Sequence, residues 1–575
     1  MIVLGINDGH NAAACLYRDG RVVAALQEER LRRVKNWSGL PMEAIDQVLA
    51  IGNVKLSDVD YVAMNGHHAS APMTREQLME EYRTINDTVV SVRRAARRSV
   101  KKVLSATPVG ARLSAQKQDQ RAAGLVARGV SPDKFVFVEH HTGHAAAAYY
   151  GWGRFDEDVL VLSCDGSGDG LCATVSIGRD GRLTRIAEVT QDNSLGNIYA
   201  MVTYLMGMVP LEHEYKLMGL APYSDPKGVD QVFKRLRSLV RFTPGNPLTW
   251  ERQNGLPETY CSYQFFREFF ERTRFDAIAG GLQKFVEVML TEWVTNCVTA
   301  TGIRKVALGG GIFMNVKANK LIMELPDVQD LFVYPSCGDE TNAMGAAYHV
   351  FAEKAGPARM QPIGDFYCGP SFTNDEVEAA LRAYTFTHPV KFTKIETIER
   401  SVAELLAKGT VVARFRGREE FGARSLGNRA ILANPTDPAA VRLINEAIKC
   451  RDFWMPFCPS MLEERADDFI VNPKRVAAPY MILSFDTTER WKDIAAAIHP
   501  FDRTARPQLV SAKWNPSYHR VISEFEKLTG VGAVLNTSFN LHGFPICSRP
   551  ADALEVLDKS GLTHLAIENW LVEKV

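Results

Sequence analysis

The sequence predicts an α/β protein with two related halves followed by a further α/β domain, and three observations support this fold class. First, residues 3–27 and 161–188 repeat the same order of strand, glycine-containing turn, strand, Arg-Asp-Gly-Arg hairpin and strand. Second, strands run into helices through small or acidic turns at 305–320 and 330–351. Third, a segment with proline and glycine at 355–371 has the composition of a linker, with alternating helix and strand patterns beyond it.

The first elements are the two copies of the strand-and-hairpin unit. Each copy starts with Val-Leu and reaches an identical Arg-Asp-Gly-Arg turn, at 18–21 and at 179–182. Asp-Gly supplies the positive φ angles that tight hairpin turns need, so both turns join neighbouring antiparallel strands. Glycine and aspartate in the first turn of each copy leave backbone N–H groups able to approach an anion. This repetition predicts a duplicated actin-like ATPase core (the acetate kinase, sugar kinase and actin superfamily), which holds nucleotide phosphates between its halves.

Between the copies, residues 74–105 have a helical composition and a run of basic side chains. These side chains are Arg93, Arg94, Arg97, Arg98, Lys101 and Lys102. A nucleic-acid or acceptor surface is one interpretation. We favour the other, a solvated basic helix that is balanced by acidic residues elsewhere.

The composition excludes several classes of protein. The 67 Lys and Arg residues equal the 67 Asp and Glu residues, so bulk charge does not favour a nucleic-acid backbone. No run approaches the roughly 18 consecutive apolar residues of a membrane span, and the amino terminus lacks a secretion signal. The ten cysteines include no Cys-X-X-Cys pair, which is typical of thiols in a reducing compartment. We therefore predict a cytoplasmic protein that binds neither nucleic acid nor a membrane.

The segment 134–151 carries the strongest chemical signal. A strand ends at Glu139, and His140 and His144 follow where a helix can begin. Because they are four residues apart, the two imidazoles lie on one helix face, as a two-histidine metal site requires. His141 points elsewhere and would at most support the ligands.

Two carboxylates extend this predicted metal site. Asp165 ends a strand of the second copy, and Asp339 lies in the turn after another strand. Side chains at the carboxyl ends of such strands converge on a shared cleft. Two imidazoles and two carboxylates suit Fe(II), Mn(II) or Zn(II), with positions left for phosphate oxygens. A histidine pair that binds no metal is the alternative.

A triple glycine predicts a phosphate contact. Gly309, Gly310 and Gly311 let backbone amides approach a phosphate chain, and the start of the following helix favours negative charge. Asn315 is placed for a nucleotide hydroxyl or phosphate oxygen. A tight structural turn is the alternative, but it explains one glycine better than three.

Beyond the linker, six segments predict a separate α/β domain. They are helix 397–408, strand 410–416, helix 439–449, strand 480–485, helix 517–529 and strand 532–536. Basic residues that cluster with glycine and proline suit the recognition of phosphate and carboxylate oxygens. They are Arg414, Arg416, Arg418, Arg424, Arg429, Lys449, Arg451, Arg503 and Arg506. Asn536, Ser538 and Asn540 follow as neutral groups able to bind an amide or a ribose.

Together these motifs resemble the NodU/CmcH family of carbamoyltransferases over nearly the whole chain. The matching motifs are GIN..H with AAA, EER with Lys35, HHxxHA, SCDGSGDG, KLMGLAPY, LGGGIFMN, GDETNAMGAA, GREEFGARSLGNRAIL, IKCRDFWMPFCPS, TARPQLV and NTSFN. The single motifs are common, but their combination is specific. The resemblance implies an actin-like (ASKHA, TsaD-like) ATPase domain at 1–355, a linker at 356–371 and a YrdC-like α/β domain at 372–575.

The resemblance also implies the reaction. The YrdC-like domain would combine ATP with carbamoyl phosphate to give carbamoyl adenylate and pyrophosphate. The TsaD-like domain would pass the carbamoyl group to a hydroxyl of a sugar or natural product, with release of AMP. The implied cofactors are ATP and a divalent metal, Fe(II) first, with Mn or Zn as alternatives. Members of the family often form dimers, so the sequence is compatible with a homodimer.

Site residues carry over from the family position by position. His140, His144, Asp165 and Asp339 match the family's iron ligands, and Gly309, Gly310, Gly311 and Asn315 match its nucleotide contacts. His10, Lys35 and Lys216 match transfer-site and acceptor-side positions. His10 is the candidate for the base or for an oxyanion contact, and a purely structural histidine is the alternative. Arg424, Lys449, Arg506 and Asn536 match positions that hold carbamoyl phosphate and nucleotide. Met455 and His542 stand where many relatives have arginine, so neither receives a role.

Two other functions fit part of the sequence. A tRNA-modifying threonylcarbamoyl-type enzyme shares the predicted folds, but it needs salt-dependent binding to tRNA, which a neutral chain does not favour. A non-enzymatic actin-like ATPase module would need only the first domain.

Overall fold

The computed structural model describes residues 1–68, 74–84, 107–449 and 452–575. These residues form two compact units. The first unit comprises Met1–Glu28 and Asn36–Ile363, and the second comprises Glu29–Lys35 and Gly364–Val575. The basic residues at 93–102, where the sequence predicts a helix, lie outside the described residues.

Two five-stranded sheets of the first unit share one strand order. The strands are β1 Ile2–Asn7, β2 Ala13–Arg18, β3 Arg21–Gln27, β4 Tyr61–Asn65, β5 Phe135–Val138, β6 Val159–Gly168, β7 Leu171–Arg179, β8 Arg182–Thr190, β9 Val240–Thr243, β10 Asn246–Arg252, β11 Lys305–Gly309 and β12 Asp330–Val333. The sheet orders are β3-β2-β1-β4-β5 and β12-β11-β6-β7-β8, and β9 and β10 form a separate hairpin. In each sheet, three consecutive strands form an antiparallel meander. A fourth strand pairs in parallel with the first of them, and a fifth pairs in parallel with the fourth. The predicted duplication is therefore confirmed.

The repeated hairpin turn has the backbone that its sequence predicts. Asp19 and Gly20 have φ of 52° and 87°, and Asp180 and Gly181 have φ of 49° and 72°. Positive φ at both central residues gives a turn whose twist matches that of the flanking strands. The turn thus fixes the register of β2 with β3 and of β7 with β8.

Two helices of the first unit approach each other at backbone distance. One begins at His140 and the other at Asn342. A Cβ on Gly345 would lie 2.0 Å from the carbonyl oxygen of Gly143, and a Cβ on Gly5 would lie 1.9 Å from that of Ala343. The small residues therefore let β1 and the two helices pack without intervening side chains. The helices of this unit are Met42–Gly52, Arg75–Thr84, Pro108–Val126, His140–Trp152, Leu195–Leu205, Glu214–Leu220, Pro226–Arg237, Tyr263–Phe269, Phe275–Thr301, Val316–Glu324 and Asn342–Ala355, and Glu28–Arg32 spans the change of unit.

The second unit is built on a mixed eight-stranded sheet. Its strands are β13 Val390–Lys394, β14 Val412–Phe415, β15 Arg429–Ala433, β16 Cys458–Leu462, β17 Gln508–Val510, β18 Ala533–Ser538, β19 His564–Ile567 and β20 Trp570–Lys574. Their order is β13-β20-β19-β14-β15-β18-β16-β17. The helices are Asn374–Ala383, Ile398–Ala407, Pro438–Ile444, Ala466–Phe469, Pro516–Thr529 and Pro550–Lys559, with a π-helical turn at Asn445–Lys449.

One predicted strand of the second unit is wrong. Residues 480–485 are apolar and mostly buried, but they form no strand beyond a single bridge between Phe485 and Ala505. Met481 adopts φ of 56°, which interrupts an extended backbone. The run is therefore buried as irregular chain. Strands β16 and β17, which the sequence did not indicate, form the edge of the sheet instead.

An amino-terminal segment is part of the second unit. Arg30, only 1% exposed, pairs with Glu419, which is fully buried, at 2.5 Å between Nη1 and Oε1. Its guanidinium also donates to the carbonyl oxygens of Glu420 and Gly422. Burial raises the pKa of Glu419, although Arg30 and Arg429 act in the opposite direction. The segment is thus fixed by a buried ion pair whose partner lies far along the chain.

Among the described residues, no helix combines the length and the apolar character that a membrane span requires.

Candidate metal centre

Four polar side chains of the first unit converge on one point. His140 and His144 lie one turn apart on the same helix, Asp165 lies on β6, and Asp339 lies in a 3₁₀ turn before the next helix. The Nε2 atom of His140 lies 3.2 Å from Nε2 of His144 and 3.2 Å from Oδ2 of Asp165. The Nε2 atom of His144 lies 3.4 Å from Oδ1 of Asp339. One donor atom from each residue lies within 4.8 Å of the other three.

Glu139 fixes the start of the helix that carries both histidines. Its carboxylate caps the helix by accepting the backbone N–H groups of His141 and Thr142 at 2.9 and 2.8 Å. Burial alone would raise the pKa of Glu139, but an ion pair with Arg185 and the N–H of His141 lower it to about 2. The charged cap determines where the helix begins, and therefore which faces His140 and His144 present.

The charges of the four side chains compensate one another. Burial would lower the pKa of His144, but hydrogen bonds and charges from Asp165 and Asp339 raise it to about 9. The same two carboxylates raise the pKa of His140. Burial would raise the pKa of Asp165, but the two imidazoles hold it well below its usual range. The two carboxylates thus favour positive charge at the imidazoles, and a divalent cation would supply that charge in place of protons.

The donor set fits a divalent cation. Imidazole nitrogen and carboxylate oxygen are ligands for Fe(II), Mn(II) and Zn(II) alike, so these four residues do not select one of the three. Both histidines are buried, whereas Asp165 and Asp339 keep part of their surface exposed. The four residues that the sequence predicts as ligands are therefore the ones that the structure brings together, and a ligand can reach them from the carboxylate side.

The triple glycine packs directly against this cluster. The N–H of Gly311 donates to Oδ1 of Asp165 at 3.0 Å. A Cβ on Gly309 would lie 2.6 Å from the carbonyl oxygen of His144, and a Cβ on Gly310 would lie 2.3 Å from that of Cys164. The glycines are thus required for close packing beside the cluster, and their phosphate contact stays a prediction.

The side chain of Asn315 forms hydrogen bonds within the protein. Its side chain caps the helix Val316–Glu324 by accepting the N–H of Ala318 at 3.1 Å. Its amide also exchanges two hydrogen bonds of 2.9 Å with Gln283. A nucleotide contact through this side chain would replace some of these bonds, and it also stays a prediction.

His141 does not join the four donor atoms. Its Nδ1 lies 2.9 Å from Oγ of Ser163, on the other side of the helix start. Burial first, and then the imidazoles of His140 and His144, lower the pKa of His141 to about 3. His141 is therefore a neutral core histidine, in agreement with its predicted orientation.

The predicted catalytic residues lie on three different segments of the chain. His10 is half-buried in the turn between β1 and β2, and its backbone carbonyl accepts the amide of Asn7 at 2.8 Å. Lys216 lies on the helix Glu214–Leu220 of the same unit. Lys35 ends the amino-terminal segment of the second unit. The catalytic roles of these residues stay predictions.

Arg121 joins two strand ends, although no sequence pattern indicates this role. Its guanidinium donates to both carboxylate oxygens of Asp8 at 2.7 and 2.8 Å, and to the carbonyl oxygens of Asn65 and Gly66 at 2.6 Å. It thereby ties together the carboxyl ends of β1 and β4. Arg121 lies within a polar helical stretch, where no pattern marks it, and only the acid after β1 could have suggested a partner.

The second unit brings together two of its four predicted binding residues. Arg506 donates to Sγ of Cys458 through two nitrogens, at 3.0 and 2.7 Å. Cys458 is paired in register with Asn536 across β16 and β18. The amide nitrogen of Asn536 donates to Oγ of Ser460 at 2.9 Å, and its buried amide oxygen has no hydrogen-bond partner.

The two other predicted residues of this unit lie in a π-helical turn and in a loop. The ammonium group of Lys449 is buried and donates to the backbone and side-chain oxygens of Ser538 and Asn540. Arg424 is half-buried in the loop between β14 and β15. The binding of carbamoyl phosphate or adenylate by these residues stays a prediction.

Two buried arginines of the segment 414–429 have structural contacts. Arg414 is buried and donates to the carbonyl oxygen of Gly427 at 2.6 Å. Arg429 is fully buried over the ring of Phe415, 3.7 Å from its centroid, and donates to backbone carbonyl oxygens. These two arginines therefore bind the protein's own carbonyl groups, and anion binding by the rest of the cluster stays a prediction.

Two protein-family models match the chain. One, described as Carbamoyltransferase N-terminus, matches residues 2–348. The other, described as Carbamoyltransferase C-terminus, matches residues 403–574.

Related proteins match over most of their length. Nodulation protein NolNO of Sinorhizobium fredii is 31% identical, and the alignment covers 98% of this chain and 79% of that protein. Nodulation protein U of the same species is 27% identical over 94% of each chain. Among solved structures, (R)-2-hydroxyglutaryl-CoA dehydratase component A of Acidaminococcus fermentans matches with a TM-score of 0.33 and 14% identity, over 61% of this chain and 97% of that one.

Proposed function

The chain belongs to the carbamoyltransferase family, and from this we propose that it is an ATP-dependent O-carbamoyltransferase that works in two steps. In the first step, carbamoyl phosphate, ATP and water give carbamoyl adenylate, pyrophosphate and inorganic phosphate. In the second step, the carbamoyl group passes to a hydroxyl of a sugar or natural product, and AMP leaves. We assign the first step to the second unit and the second step to the first unit.

The convergence of His140, His144, Asp165 and Asp339 carries this proposal. The duplicated sheets support an actin-like fold for the first unit, and we propose a YrdC-like role for the second. The four side chains would hold a divalent cation. When bound, the cation supplies positive charge beside the phosphate of the leaving AMP.

The remaining chemistry belongs to the side chains of the chain itself. Asp165 is held in place by the N–H of Gly311, so one of its oxygens stays aimed at the cluster. His10, in the turn after β1, is our candidate for the base that takes the proton of the acceptor hydroxyl. Lys35 and Lys216 are candidates for contacts with the acceptor and the leaving group.

In the second unit, cationic and amide groups support the activation step. We propose that Arg424, Lys449 and Arg506 bind phosphate oxygens, because charge-assisted hydrogen bonds are the strong ones. The unpartnered amide oxygen of Asn536 can accept the N–H of a carbamoyl group. Carbamoyl phosphate, ATP and a hydroxyl-bearing acceptor are therefore the proposed substrates.

The two steps can be separated by a single substitution. His144→Gln should lower carbamoyl transfer at least 100-fold, while carbamoyl-phosphate-dependent exchange of labelled pyrophosphate into ATP continues at the wild-type rate. Transfer is followed with labelled carbamoyl phosphate and a panel of acceptors: an aminoglycoside, an oligosaccharide and a polyketide. His349→Gln is the matched control, because His349 is a partly buried histidine of the same unit that pairs with Glu353 instead. Release of ADP rather than AMP and pyrophosphate would contradict the proposal.

A further inference from the structure

A row of buried asparagines leads to the candidate metal centre. Asn7, Asn65 and Asn342 are 2%, 5% and 0% exposed. The amide nitrogen of Asn65 donates to Oδ1 of Asn7 at 3.1 Å, and that of Asn7 donates to the carbonyl oxygen of His10 at 2.8 Å. At the other end, the amide of Asn342 lies 3.1 Å from Nε2 of His144. The row thus runs from the turn after β1 to a predicted ligand.

The contact between Asn342 and His144 conflicts with metal binding by His144. The amide nitrogen of Asn342 faces Nε2 of His144. A ring nitrogen has one lone pair, so Nε2 cannot accept an N–H and bind a cation at the same time. One of the two interactions must therefore give way when the cation binds.

Two unpartnered oxygens indicate how the conflict is resolved. The amide oxygens of Asn65 and Asn342 are both buried without a hydrogen-bond partner. Both border the same small space, 2.8 and 3.0 Å from the point where a Cβ on Gly143 would lie, with Asn342 the nearer. A buried acceptor without a donor is unfavourable, so two that face one space are unfavourable together.

Exchanging the nitrogen and oxygen of the Asn342 amide removes the whole conflict. These two atoms are assigned from the hydrogen bonds they make, because they have nearly the same shape. After the exchange, the Asn342 nitrogen faces the oxygen of Asn65, and the Asn342 oxygen faces His144. The asparagines then form one directed chain, in which each amide nitrogen points toward the next acceptor.

From this geometry we propose that the amide oxygen of Asn342 is a fifth protein ligand of the divalent cation, aimed by Asn65 and Asn7. The inference rests on the proposed function, since it concerns the same cation. The separation of 3.1 Å from Nε2 of His144 resembles the 3.2 Å between the two histidine nitrogens, as expected for neighbours around one ion. A neutral oxygen adds a hard ligand without adding charge, which suits Fe(II) or Mn(II) better than a tetrahedral Zn(II) site.

The position of Asn342 in the sequence explains how its side chain can reach the cation. It follows Asp339 by three residues, across a 3₁₀ turn that runs directly into the helix Asn342–Ala355. The turn places the two side chains near the same point. A Cβ on Gly143 would lie within 3.0 Å of the amide oxygens of both Asn65 and Asn342, so glycine at this position leaves the space that the two carboxamides need.

Metal titration of the full chain tests the proposal without any carbamoyl acceptor. Mn(II) is titrated by calorimetry into the metal-free protein. We expect Asn342→Ala to weaken Mn(II) binding 10- to 100-fold. Asn342→Asp should restore at least wild-type affinity, because its carboxylate oxygen replaces the amide oxygen. Asn319→Ala, which removes another fully buried amide of the same unit, should leave the affinity within twofold.

A second measurement detects changes in the set of atoms that bind the metal. The visible spectrum of the Co(II)-substituted protein should change in Asn342→Ala and in Asn342→Asp, but not in Asn319→Ala. Unchanged Mn(II) affinity and an unchanged Co(II) spectrum in Asn342→Ala would overturn the inference. If Asn342→Ala does not fold, Asn342→Asp provides the test. Weaker Mn(II) binding by Asn342→Asp than by the wild type would then overturn the inference.

The failure of this inference is distinguishable from failure of the proposed function. If His144→Gln binds Mn(II) as well as the wild type does, the metal centre itself is wrong. If His144→Gln loses Mn(II) binding and Asn342→Ala keeps it, the centre stands with four protein ligands and Asn342 is not one of them.

Discussion

The carboxylate of Glu139 positions two predicted metal ligands, because it caps the helix that carries them. The residue caps a helix whose first residue is His140, and Arg185 compensates its charge. An N-cap is a local interaction, yet here it decides the position of side chains one full turn away.

Glu139→Ala should lower stability and metal affinity together. The loss of an N-cap costs about 1–2 kcal/mol, and the unfastened first turn lets His140 leave its place. Asp225→Ala is the matched control, because Asp225 caps another helix of the same unit by accepting the N–H of Gly228 at 3.0 Å. We expect a similar loss of thermal stability in both variants, measured by calorimetry, but weaker Mn(II) binding in Glu139→Ala alone. Equal Mn(II) affinities would show that the cap does not position the ligands.

Glu214 should make the fold less stable as the pH rises. Burial raises the pKa of Glu214 to about 7, helped by Glu212 and opposed by the N–H of Leu211. Because the folded-state pKa exceeds the ordinary value, the protonated form suits the fold, and stability falls as the pH rises from about 4.5 through 7. Between pH 5 and pH 8, the free energy of unfolding should fall by about 1–3 kcal/mol more in the wild type than in Glu214→Gln. Equal changes in denaturant titrations at the two pH values would contradict this assignment.

At the scale of elements, the junction between β11 and the following helix depends on one backbone conformation. Gly310 has φ of 102°, and an added Cβ would lie 2.3 Å from the carbonyl oxygen of Cys164. That oxygen belongs to the residue before Asp165. A side chain at Gly310 must therefore displace the strand that carries a predicted ligand.

Gly310→Ala should reduce stability by several kcal/mol and abolish Mn(II) binding. Gly302→Ala provides the control: Gly302 also has positive φ, at 72°, but nothing lies within 4 Å of its added Cβ. Its cost should be only the strain of a left-handed alanine, about 1–2 kcal/mol, with Mn(II) affinity unchanged. Thermal unfolding and metal titration of both variants measure the difference. Mn(II) binding by Gly310→Ala at wild-type affinity would show that β6 tolerates the displacement.

Sequence patterns predicted the elements in which local signals and tertiary contacts agree. The paired Asp-Gly turns, the four-residue spacing of His140 and His144, and acids at strand ends all follow local rules. Burial without periodicity misled the prediction at 480–485, because an apolar run does not distinguish a strand from buried irregular chain. The roles of Arg121 and Asn342 could not be predicted, since their partners come from elements that only the tertiary fold brings close.

At the scale of the whole molecule, the second unit depends on an ion pair made by its amino-terminal segment. Arg30 and Glu419 are 389 residues apart in the sequence and are both buried. Removing one partner of a buried pair leaves an uncompensated charge, whereas replacing both by apolar residues is often nearly neutral.

Arg30→Ala should therefore destabilise the protein by about 3–5 kcal/mol. Arg30→Met combined with Glu419→Leu should recover most of that loss, since no charge is left buried. Arg33→Ala serves as the control, because Arg33 approaches Asp552 and Glu555 at 3.6 Å from a more exposed position. Differential scanning calorimetry of the full chain compares the three. A transition of Arg30→Ala at the wild-type temperature would show that Glu419 does not need its partner.

The placement of Glu29–Lys35 has a consequence for the order of events during synthesis. These residues are translated long before the other part of the same unit, which begins at Gly364. At a translation rate of about 5–20 residues per second, Glu419 is added to the chain tens of seconds after Arg30. During that interval the basic segment is an exposed, unfinished part of the nascent chain. The second unit therefore cannot complete its core before Glu419 has been translated, however early its first residues are made.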